Sequence, residues 1–126
     1  MSKTSIFSSQ APPAIGPYSQ AVLTGHLLFL SGQIGMDPTG QGLVEGGVLP
    51  QARQIFSNIK AIMKEAGAGL EQIVKVTVFL KRMDDFPVVN EEYKKHFSPP
   101  YPARSTVAVV ELPLSADIEI EAVAVI

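Results

Sequence analysis

The spacing of apolar residues changes several times along this chain, and these changes restrict the folds it can adopt. From Pro50 onward, apolar residues recur at steps of three and four, which predicts an amphipathic helix that ends at Gly67 and Gly69. Its predicted buried stripe consists of Ala52, Ile55, Phe56, Ile59, Ile62, Met63 and Ala66. Residues 74–81 alternate instead, which predicts a strand with one strongly apolar face. That face would carry Val74, Val76, Val78 and Leu80.

A second helix is predicted after Asp84 or Asp85, since either side chain can cap a helix N-terminus. Its apolar side would carry Phe86, Val89, Tyr93 and Phe97. We interpret His96, near the end of this helix, as a solvated residue that interacts favourably with the helix dipole. The two helices are therefore expected to have one buried side each.

Strands are predicted at both ends of the chain. Residues 21–30 have the pattern of a hairpin that turns at 24–26, and the five glycines within 35–47 predict a loop. Two more strands are predicted at about 103–111 and 117–126. Because two helices cover only one face of a sheet this size, we expect an α+β fold with a mixed sheet and two helices on one face.

The last predicted strand is partly apolar on both of its faces. One face carries Ile118, Ile120, Ala122 and Ala124, and the other carries Glu119, Glu121, Val123 and Val125. The face turned away from the helices needs a cover that no third predicted helix supplies. We therefore expect this face to be covered by self-association.

Composition excludes several classes of protein. The 126 residues are expected to form one domain over 1–126, and the absence of cysteine excludes disulfides and thiolate nucleophiles. Ten basic and twelve acidic side chains give a net charge of −2 without a basic run, which argues against a nucleic-acid partner. No metal-ligand spacing, signal-peptide core or apolar run near ~20 residues is present, so we expect a cytoplasmic protein without metal or membrane contact.

Arg104 is the main candidate for chemistry, because it lies between a proline-rich segment and the apolar run 106–110. A guanidinium at the start of a buried strand requires an anion. That anion is either the carboxylate of Glu119 or Glu121, in a structural ion pair, or the carboxylate or phosphate of a ligand. The residues alone leave both alternatives open.

The remaining polar residues indicate one kind of chemistry. Neither histidine belongs to a motif with a serine or aspartate, so a hydrolytic triad has no support. What remains is the Arg104 fork, a carboxylate, backbone amides near Gly32 and the hydroxyls of Tyr18, Ser31 and Thr106. These groups suit a small carboxylate-bearing substrate and one activated water.

Six motifs in order resemble those of the RidA family, also called YjgF/YER057c/UK114. They are Ile15-Gly16-Pro17-Tyr18-Ser19-Gln20, Leu30-Ser31-Gly32-Gln33-Ile34, Gln51-Ala52-Arg53-Gln54, Val88-Val89-Asn90-Glu91, Pro102-Ala103-Arg104-Ser105 and Ile118-Glu119-Ile120-Glu121-Ala122. The resemblance covers almost the whole chain. It implies a chorismate-mutase-like fold of the Bacillus type, assembled as a homotrimer with clefts between neighbouring subunits.

The resemblance also implies an activity that needs no cofactor. Family members are imine deaminases that hydrolyse 2-aminoacrylate, 2-iminobutyrate and related intermediates of pyridoxal-phosphate enzymes to 2-keto acids and ammonia. Two alternatives remain: an endoribonuclease or translation inhibitor, and a non-enzymatic trimer that binds small metabolites. The net charge of −2 argues against the ribonuclease.

The resemblance further implies roles for individual residues. Arg104 would hold the substrate carboxylate, and Glu119 would orient or deprotonate the attacking water, with Glu121 as the alternative acid. The Thr106 carbonyl would be a second water acceptor, at a position where many relatives carry cysteine. Contacts to the substrate or water are also implied for Tyr18, Ser31 and Gly32. Each of these three also has a purely structural interpretation, as a packing residue or a bulge.

Two other motif residues are not expected in the site. Asn90 is interpreted as making a hydrogen bond within its own helix. Arg53 lies off the apolar stripe of the first helix, so we interpret it as a structural or interface charge.

Overall fold

A computed structural model of the chain describes residues 2–126 and contains one six-stranded sheet with two α-helices. The strands are β1 (Thr4–Ile6), β2 (Ala21–Thr24), β3 (Leu27–Ile34), β4 (Ile73–Leu80), β5 (Ala103–Ala108) and β6 (Ile118–Val125). The helices are α1 (Val48–Glu65) and α2 (Phe86–Lys94). The strand order is β1-β2-β3-β6-β4-β5, and only β4 and β5 pair in parallel, through the connection that contains α2. The predicted α+β fold with a mixed sheet is confirmed.

The predicted first helix is confirmed, with a start two residues earlier than expected. Pro50 lies in the first turn, where its missing N–H removes no intrahelical bond. Every apolar residue of the predicted stripe from Ala52 to Met63 is at most 2% exposed. Burying one such large aliphatic or aromatic side chain contributes about 1.5–3 kcal/mol. Gly67 ends the helix at φ 76°, where the backbone needs a residue without a Cβ.

The longer strand of the predicted hairpin, β3, contains a β-bulge at Ser31–Gly32. β2 and β3 turn at Gly25 and His26 as expected, and β3 then pairs with β6. The register of that second pairing shifts between Leu30 and Gln33. An extra residue at this point bends the strand and redirects its side chains, as β-bulges do beside functional sites.

Three predictions of burial are wrong. The strand that begins at Arg104 was expected to be buried, but β5 is an edge strand and five of its six residues are exposed. Val74 was expected on the buried face of β4 but is 46% exposed, because the register with β6 shifts between Ile73 and Lys75 and turns Ile73 inward in its place. His96 was expected in solvent, but its side chain is 13% exposed. Its ring stacks on Phe56 at 4.1 Å, and its Nε2 lies 2.8 Å from Glu92 Oε2.

One strand was not predicted. β1 is three residues long, pairs with β2 at the edge of the sheet and has two exposed residues. Its sequence, Thr-Ser-Ile, is too short and too polar to show an alternating pattern.

One face of the sheet packs against the helices and the other remains open in the single chain. On β6 the residues Ile118, Ile120 and Ala124 are at most 1% exposed, as expected for the helix side. The opposite face, which we call the open face, carries four large apolar side chains that are 42–45% exposed: Leu27, Phe29, Val107 and Val125. Among residues 2–126, no helix is long and apolar enough to cross a membrane.

Candidate active site

A cavity of about 350 Å³, the Glu119 cavity, contains three of the predicted site residues. Glu119 on β6, Gly32 at the bulge of β3 and Tyr18 in the segment before β2 all line it. Seven of the other lining residues are apolar: Pro12, Pro13, Ile15, Ile34, Met36, Pro113 and Leu114. The chain therefore brings a carboxylate and a phenol together in an apolar pocket.

The surroundings of the Glu119 carboxyl raise its affinity for a proton. Burial raises the pKa of Glu119 above the usual 4.5, and the nearby charge of Glu121 raises it further. Within residues 2–126 the carboxyl accepts no hydrogen bond that would oppose this effect. A carboxyl group with a raised pKa and oxygens that are free to accept a hydrogen bond has the properties expected of a general base.

The absence of a side chain at Gly32 creates the space for the Glu119 carboxyl. A Cβ built at position 32 would lie 2.8 Å from Glu119 Cδ, which is closer than packed carbon atoms approach. Any larger residue at position 32 would therefore displace the carboxyl.

Tyr18 and Gln20, in the segment before β2 and close to it in sequence, line the same cavity. The Tyr18 hydroxyl accepts a hydrogen bond of 3.3 Å from the Ile15 N–H, and its ring is half exposed. The buried Gln20 side chain binds the backbone of the preceding segment: its Oε1 accepts from Ser8 N at 2.6 Å and its Nε2 donates to Pro12 O at 2.8 Å. Gln20 thereby holds the apolar residues of that segment against the cavity.

Ser31 lies beside this cavity and binds the chain that surrounds it. Its hydroxyl donates a 2.6 Å hydrogen bond to the Ser19 carbonyl, and its N–H donates to the Gln20 carbonyl at 3.0 Å. These two bonds fix the segment that carries Tyr18 to the bulge of β3.

Arg104 lines a different cavity of about 380 Å³, the Arg104 cavity. Its Nη1 donates a 2.8 Å hydrogen bond to Asn90 Oδ1. The guanidinium carbon lies 4.6 Å from the ring centroid of Tyr93 and 5.3 Å from that of Phe86. Lys94, Tyr101 and Pro102 complete the lining. Two cations, the Lys94 ammonium and the oriented Arg104 guanidinium, make this cavity suitable for an anion.

The ion pair considered for Arg104 does not form within the described residues. No carboxylate of residues 2–126 pairs with Arg104, whether from Glu119, Glu121 or elsewhere. An amide oxygen and two aromatic faces orient the guanidinium without neutralising it. Its remaining N–H groups are available to an external carboxylate.

The two cavities lie on opposite faces of the sheet. Arg104 is in register with the buried Val76, so it lies on the helix side, whereas Glu119 is in register with Phe79 on the open face. A single chain therefore does not bring Arg104 and Glu119 together.

Thr106 lies on the same side of β5 as Arg104, two residues further along the strand. Its hydroxyl is buried and has no hydrogen-bond partner within residues 2–126, and the same is true of the Tyr93 hydroxyl. Burial raises the pKa of Tyr93, and the charge of Arg104 opposes that rise.

Asn90 was not expected in the site, yet it contacts Arg104 directly. The sequence feature that could have placed Asn90 in the site is its spacing from Phe86 and Tyr93. Residues 86, 90 and 93 lie on one side of a helix, and all three contact the Arg104 guanidinium. No group of three or more His, Cys, Asp or Glu side chains within residues 2–126 is arranged to hold a metal ion.

Comparison with known proteins gives a consistent result. A family model described as endoribonuclease L-PSP matches residues 8–126. The 2-iminobutanoate/2-iminopropanoate deaminase of Dermatophagoides farinae is 46% identical over 124 residues, 98% of this chain and 97% of that protein. The human protein of the same name is 49% identical over 120 residues, 95% of this chain and 88% of that protein.

Solved structures give the same picture. RidA from the Antarctic bacterium Psychrobacter has a TM-score of 0.93 and 45% identity, and the match covers 98% of this chain and 99% of that one. E. coli TdcF with bound serine has a TM-score of 0.90 and 43% identity, with 98% of each chain covered.

Proposed function

Since this chain belongs to the RidA family, whose family model bears the description endoribonuclease L-PSP, we propose that it acts as a 2-iminobutanoate/2-iminopropanoate deaminase. The reaction hydrolyses the C=N bond of a short 2-imino acid to a 2-keto acid and ammonia. The observation that carries the proposal is the state of Arg104, a guanidinium oriented by Asn90 and Tyr93 and neutralised by no carboxylate of residues 2–126.

Arg104 holds the substrate carboxylate in this mechanism. A bidentate grip uses two parallel N–H donors, and the hydrogen bond from Nη1 to Asn90 leaves enough donors for it. The fixed carboxylate places the adjacent imine carbon for attack, so that binding supplies orientation. A bound serine in E. coli TdcF shows that this relative accepts a ligand with the same carboxylate group.

Glu119 activates the water. As the water oxygen bonds to the imine carbon, Glu119 takes a proton from the water, the C=N π electrons move to nitrogen, and Glu119 passes the proton to that nitrogen. In the resulting carbinolamine the hydroxyl gives its proton to Glu119, which returns it to the amino group. The C–N bond then breaks as the C=O bond forms, which leaves the 2-keto acid and ammonia. Burial and the charge of Glu121 raise the pKa of Glu119, which makes its carboxylate a stronger base toward the water than an exposed glutamate.

Other residues complete the proposed site. The Tyr18 hydroxyl contacts the substrate or the water, and the main-chain carbonyl of Thr106 is a second acceptor for the water. Gly32 lies against the Glu119 carboxyl. Ser31 contacts the substrate from the same side with the lone pairs of its hydroxyl, whose proton is donated to Ser19.

The complete site forms between subunits of a chorismate-mutase-like homotrimer. Two observations support this part of the proposal: Arg104 and Glu119 lie on opposite faces of one sheet, and the open face carries four large apolar side chains. An exposed apolar face of this kind is typically covered by another copy of the chain, and we propose that this copy also brings its own Arg104 cavity beside Glu119. The substrates proposed include 2-aminoacrylate released by pyridoxal-phosphate enzymes, in the cytoplasm, with no cofactor bound by the chain itself.

The proposal is tested with freshly generated 2-iminobutanoate, by measuring release of ammonia and 2-ketobutyrate over the uncatalysed rate. Arg104→Ala removes charge-assisted hydrogen bonds worth about 1.5–3 kcal/mol each, so we expect kcat/KM to fall about a hundredfold or more. Arg82→Ala is the matched control, because Arg82 is exposed and pairs with the exposed Asp84. Equal activity of the two variants would contradict the role given to Arg104.

The same preparation separates the alternatives. The ribonuclease alternative predicts binding to single-stranded RNA that weakens as salt increases, which the net charge of −2 makes unfavourable. A non-enzymatic metabolite-binding protein would saturate with 2-keto acids without accelerating imine hydrolysis.

A further inference from the structure

Leu114 has a backbone conformation that leucine rarely adopts. Leu114 and Ser115 have φ of 56° and 57°, in the left-handed region that normally favours glycine. This turn lies between β5 and β6, three residues before the strand that carries Glu119 begins at Ile118. Such a conformation persists only where the surroundings hold it in place, and it tends to occur at ligand sites.

The residues after this turn are firmly anchored. Ala116 is fully buried and its N–H donates to Pro113 O at 3.0 Å. Asp117 N donates to Gln51 Oε1 at 2.9 Å, and Gln51 Nε2 donates back to Asp117 Oδ2 at 3.1 Å. These bonds fix the turn to α1, so the strained residue is held rather than flexible.

The side chain of Leu114 lies in the Glu119 cavity. It is 62% exposed, and Ile15, which lines the same cavity, is 70% exposed. Two large apolar side chains presented to solvent beside a half-buried carboxylate are the expected arrangement for contact with an apolar part of a ligand. We call Ile15 and Leu114 the apolar wall.

We propose that Leu114, with Ile15, contacts the substrate side chain and determines which 2-imino acids the site accepts. This inference rests on the proposed deaminase activity. Arg104 and Glu119 act on the carboxylate and the imine carbon, which every substrate of this class shares, so discrimination has to come from residues that contact the variable group. The cavity of about 350 Å³ has room for aliphatic side chains longer than that of 2-iminobutanoate. An acidic side chain is excluded by the Glu119 carboxylate and the apolar lining.

The test compares kcat/KM for the imines of alanine, 2-aminobutyrate, leucine and glutamate, each generated in the assay by an amino-acid oxidase. Leu114→Ala keeps the Cβ, and with it the backbone restriction, while it enlarges the cavity. We expect it to raise kcat/KM for the leucine imine relative to the alanine imine about tenfold. Leu114→Phe reduces the space and should lower the same ratio by a similar factor. The glutamate imine should remain the poorest substrate throughout.

Val110→Ala is the matched control, because Val110 lies in the same connection, is 94% exposed and does not line the Glu119 cavity. Its substrate ratio should equal that of the unmodified protein. If both Leu114 variants change every imine by one common factor, with or without loss of assembly on a sizing column, the inference is wrong.

A binding series separates this inference from the deaminase proposal. Affinities for pyruvate, 2-ketobutyrate and 4-methyl-2-oxopentanoate, measured by calorimetry, should follow the substrate preferences. Leu114→Ala should favour the longest of the three keto acids, and Leu114→Phe should disfavour it. If the unmodified protein hydrolyses no imine but the affinities shift in this way, the deaminase proposal fails and the role of Leu114 remains. If the protein hydrolyses imines but the Leu114 variants change neither the ratio of kcat/KM for the leucine and alanine imines nor the relative affinities for the keto acids, only the role of Leu114 is wrong.

Discussion

At the scale of single residues, the protonation of Glu119 should control the pH dependence of the reaction. Burial and the charge of Glu121 raise the pKa of Glu119. A general base works only when deprotonated, so kcat/KM should fall as pH decreases through this raised pKa, above the usual 4.5 of a glutamate. Glu119→Gln should lower the rate on the order of 10²–10⁴-fold. It should also abolish the decrease of kcat/KM at low pH, which we call the acid limb of the pH profile.

Glu121→Gln provides the control for that measurement. It removes the second cause of the raised pKa, so the acid limb should move to lower pH while the rate at high pH is kept. Loss of activity in Glu121→Gln with retention in Glu119→Gln would reverse the assignment of the base.

Asn90 supplies a second prediction, through its 2.8 Å contact with Arg104. Asn90→Asp places a carboxylate where the amide oxygen now lies, so it should pair with the guanidinium and compete with the substrate carboxylate. We expect KM for 2-iminobutanoate to rise about tenfold or more, and Asn90→Ala to have a smaller effect. Glu65→Gln, on the exposed side of α1 and outside the Arg104 cavity, should leave KM unchanged. A KM in Asn90→Asp no higher than in Asn90→Ala would exclude this competition.

The candidate site was partly predictable at this scale, for physical reasons. Arg104 can be identified because it is a single cation between a proline-rich segment and an apolar run, although β5 is exposed and the predicted desolvation of the guanidinium does not occur. Glu119 follows from the alternation of β6, which places it opposite the buried residues. The contact between Asn90 and Arg104 depends instead on how α2 docks against β5, which spacing along the chain does not specify. Leu114 gives no sequence signal, because its left-handed backbone results from anchors to α1.

At the scale of secondary-structure elements, Glu92 joins α1 to α2. Its carboxyl is buried and accepts hydrogen bonds from Arg53 Nε at 3.1 Å and His96 Nε2 at 2.8 Å. Burial alone would raise the pKa of Glu92, but the hydrogen bonds to His96 and Arg53 outweigh it and the net shift is downward. Arg53 was interpreted as a structural or interface charge, and its ion pair with Glu92 supports the structural role. His96 was expected in solvent and is instead largely buried.

The lowered pKa of Glu92 predicts how stability depends on pH. A carboxyl with a lowered folded-state pKa contributes stability that is present above the unfolded value, 4.5, and is lost as pH falls through the folded value. Glu92→Gln should therefore reduce the free energy of unfolding by about 1–3 kcal/mol at pH 7. The difference should shrink below pH 4.5, as thermal unfolding at fixed protein concentration would show. A difference that is constant over this range would mean that the charge of Glu92 does not stabilise the fold.

The spacing of apolar residues predicts a helix or strand well where one of its faces is fully buried. It predicts poorly where hydrogen bonding to a neighbouring strand determines which residues form the strand and which are buried. The apolar residues of the α1 stripe from Ala52 to Met63 were predicted correctly because a helix on a sheet buries one continuous side. The buried polar residues Gln51 and Asn58 on that side were not predicted. Val74 was misplaced because a register shift in β4 interrupts the alternation, and β1 was missed because its hydrogen bonds to β2, rather than burial, hold it.

At the scale of the whole molecule, the opposite-face placement of Arg104 and Glu119 distinguishes a site within one chain from a site between chains. If each site takes Arg104 from one subunit and Glu119 from its neighbour, two inactive variants should complement each other. Arg104→Ala supplies an intact Glu119, and Glu119→Gln supplies an intact Arg104. Co-expression in equal amounts with two different affinity tags, followed by sequential purification, isolates the mixed assemblies.

Random mixing makes the expected activity quantitative. A site is intact when its arginine comes from one variant and its glutamate from the other, each with a probability of one half, so about one quarter of the sites should be intact. Selection for both tags discards assemblies of one variant, which moves the fraction somewhat above that value. Each variant expressed alone, and the two mixed after purification without subunit exchange, should stay inactive. Mixed assemblies without activity would show that neighbouring subunits do not share the site, since both halves would then have to come from one chain.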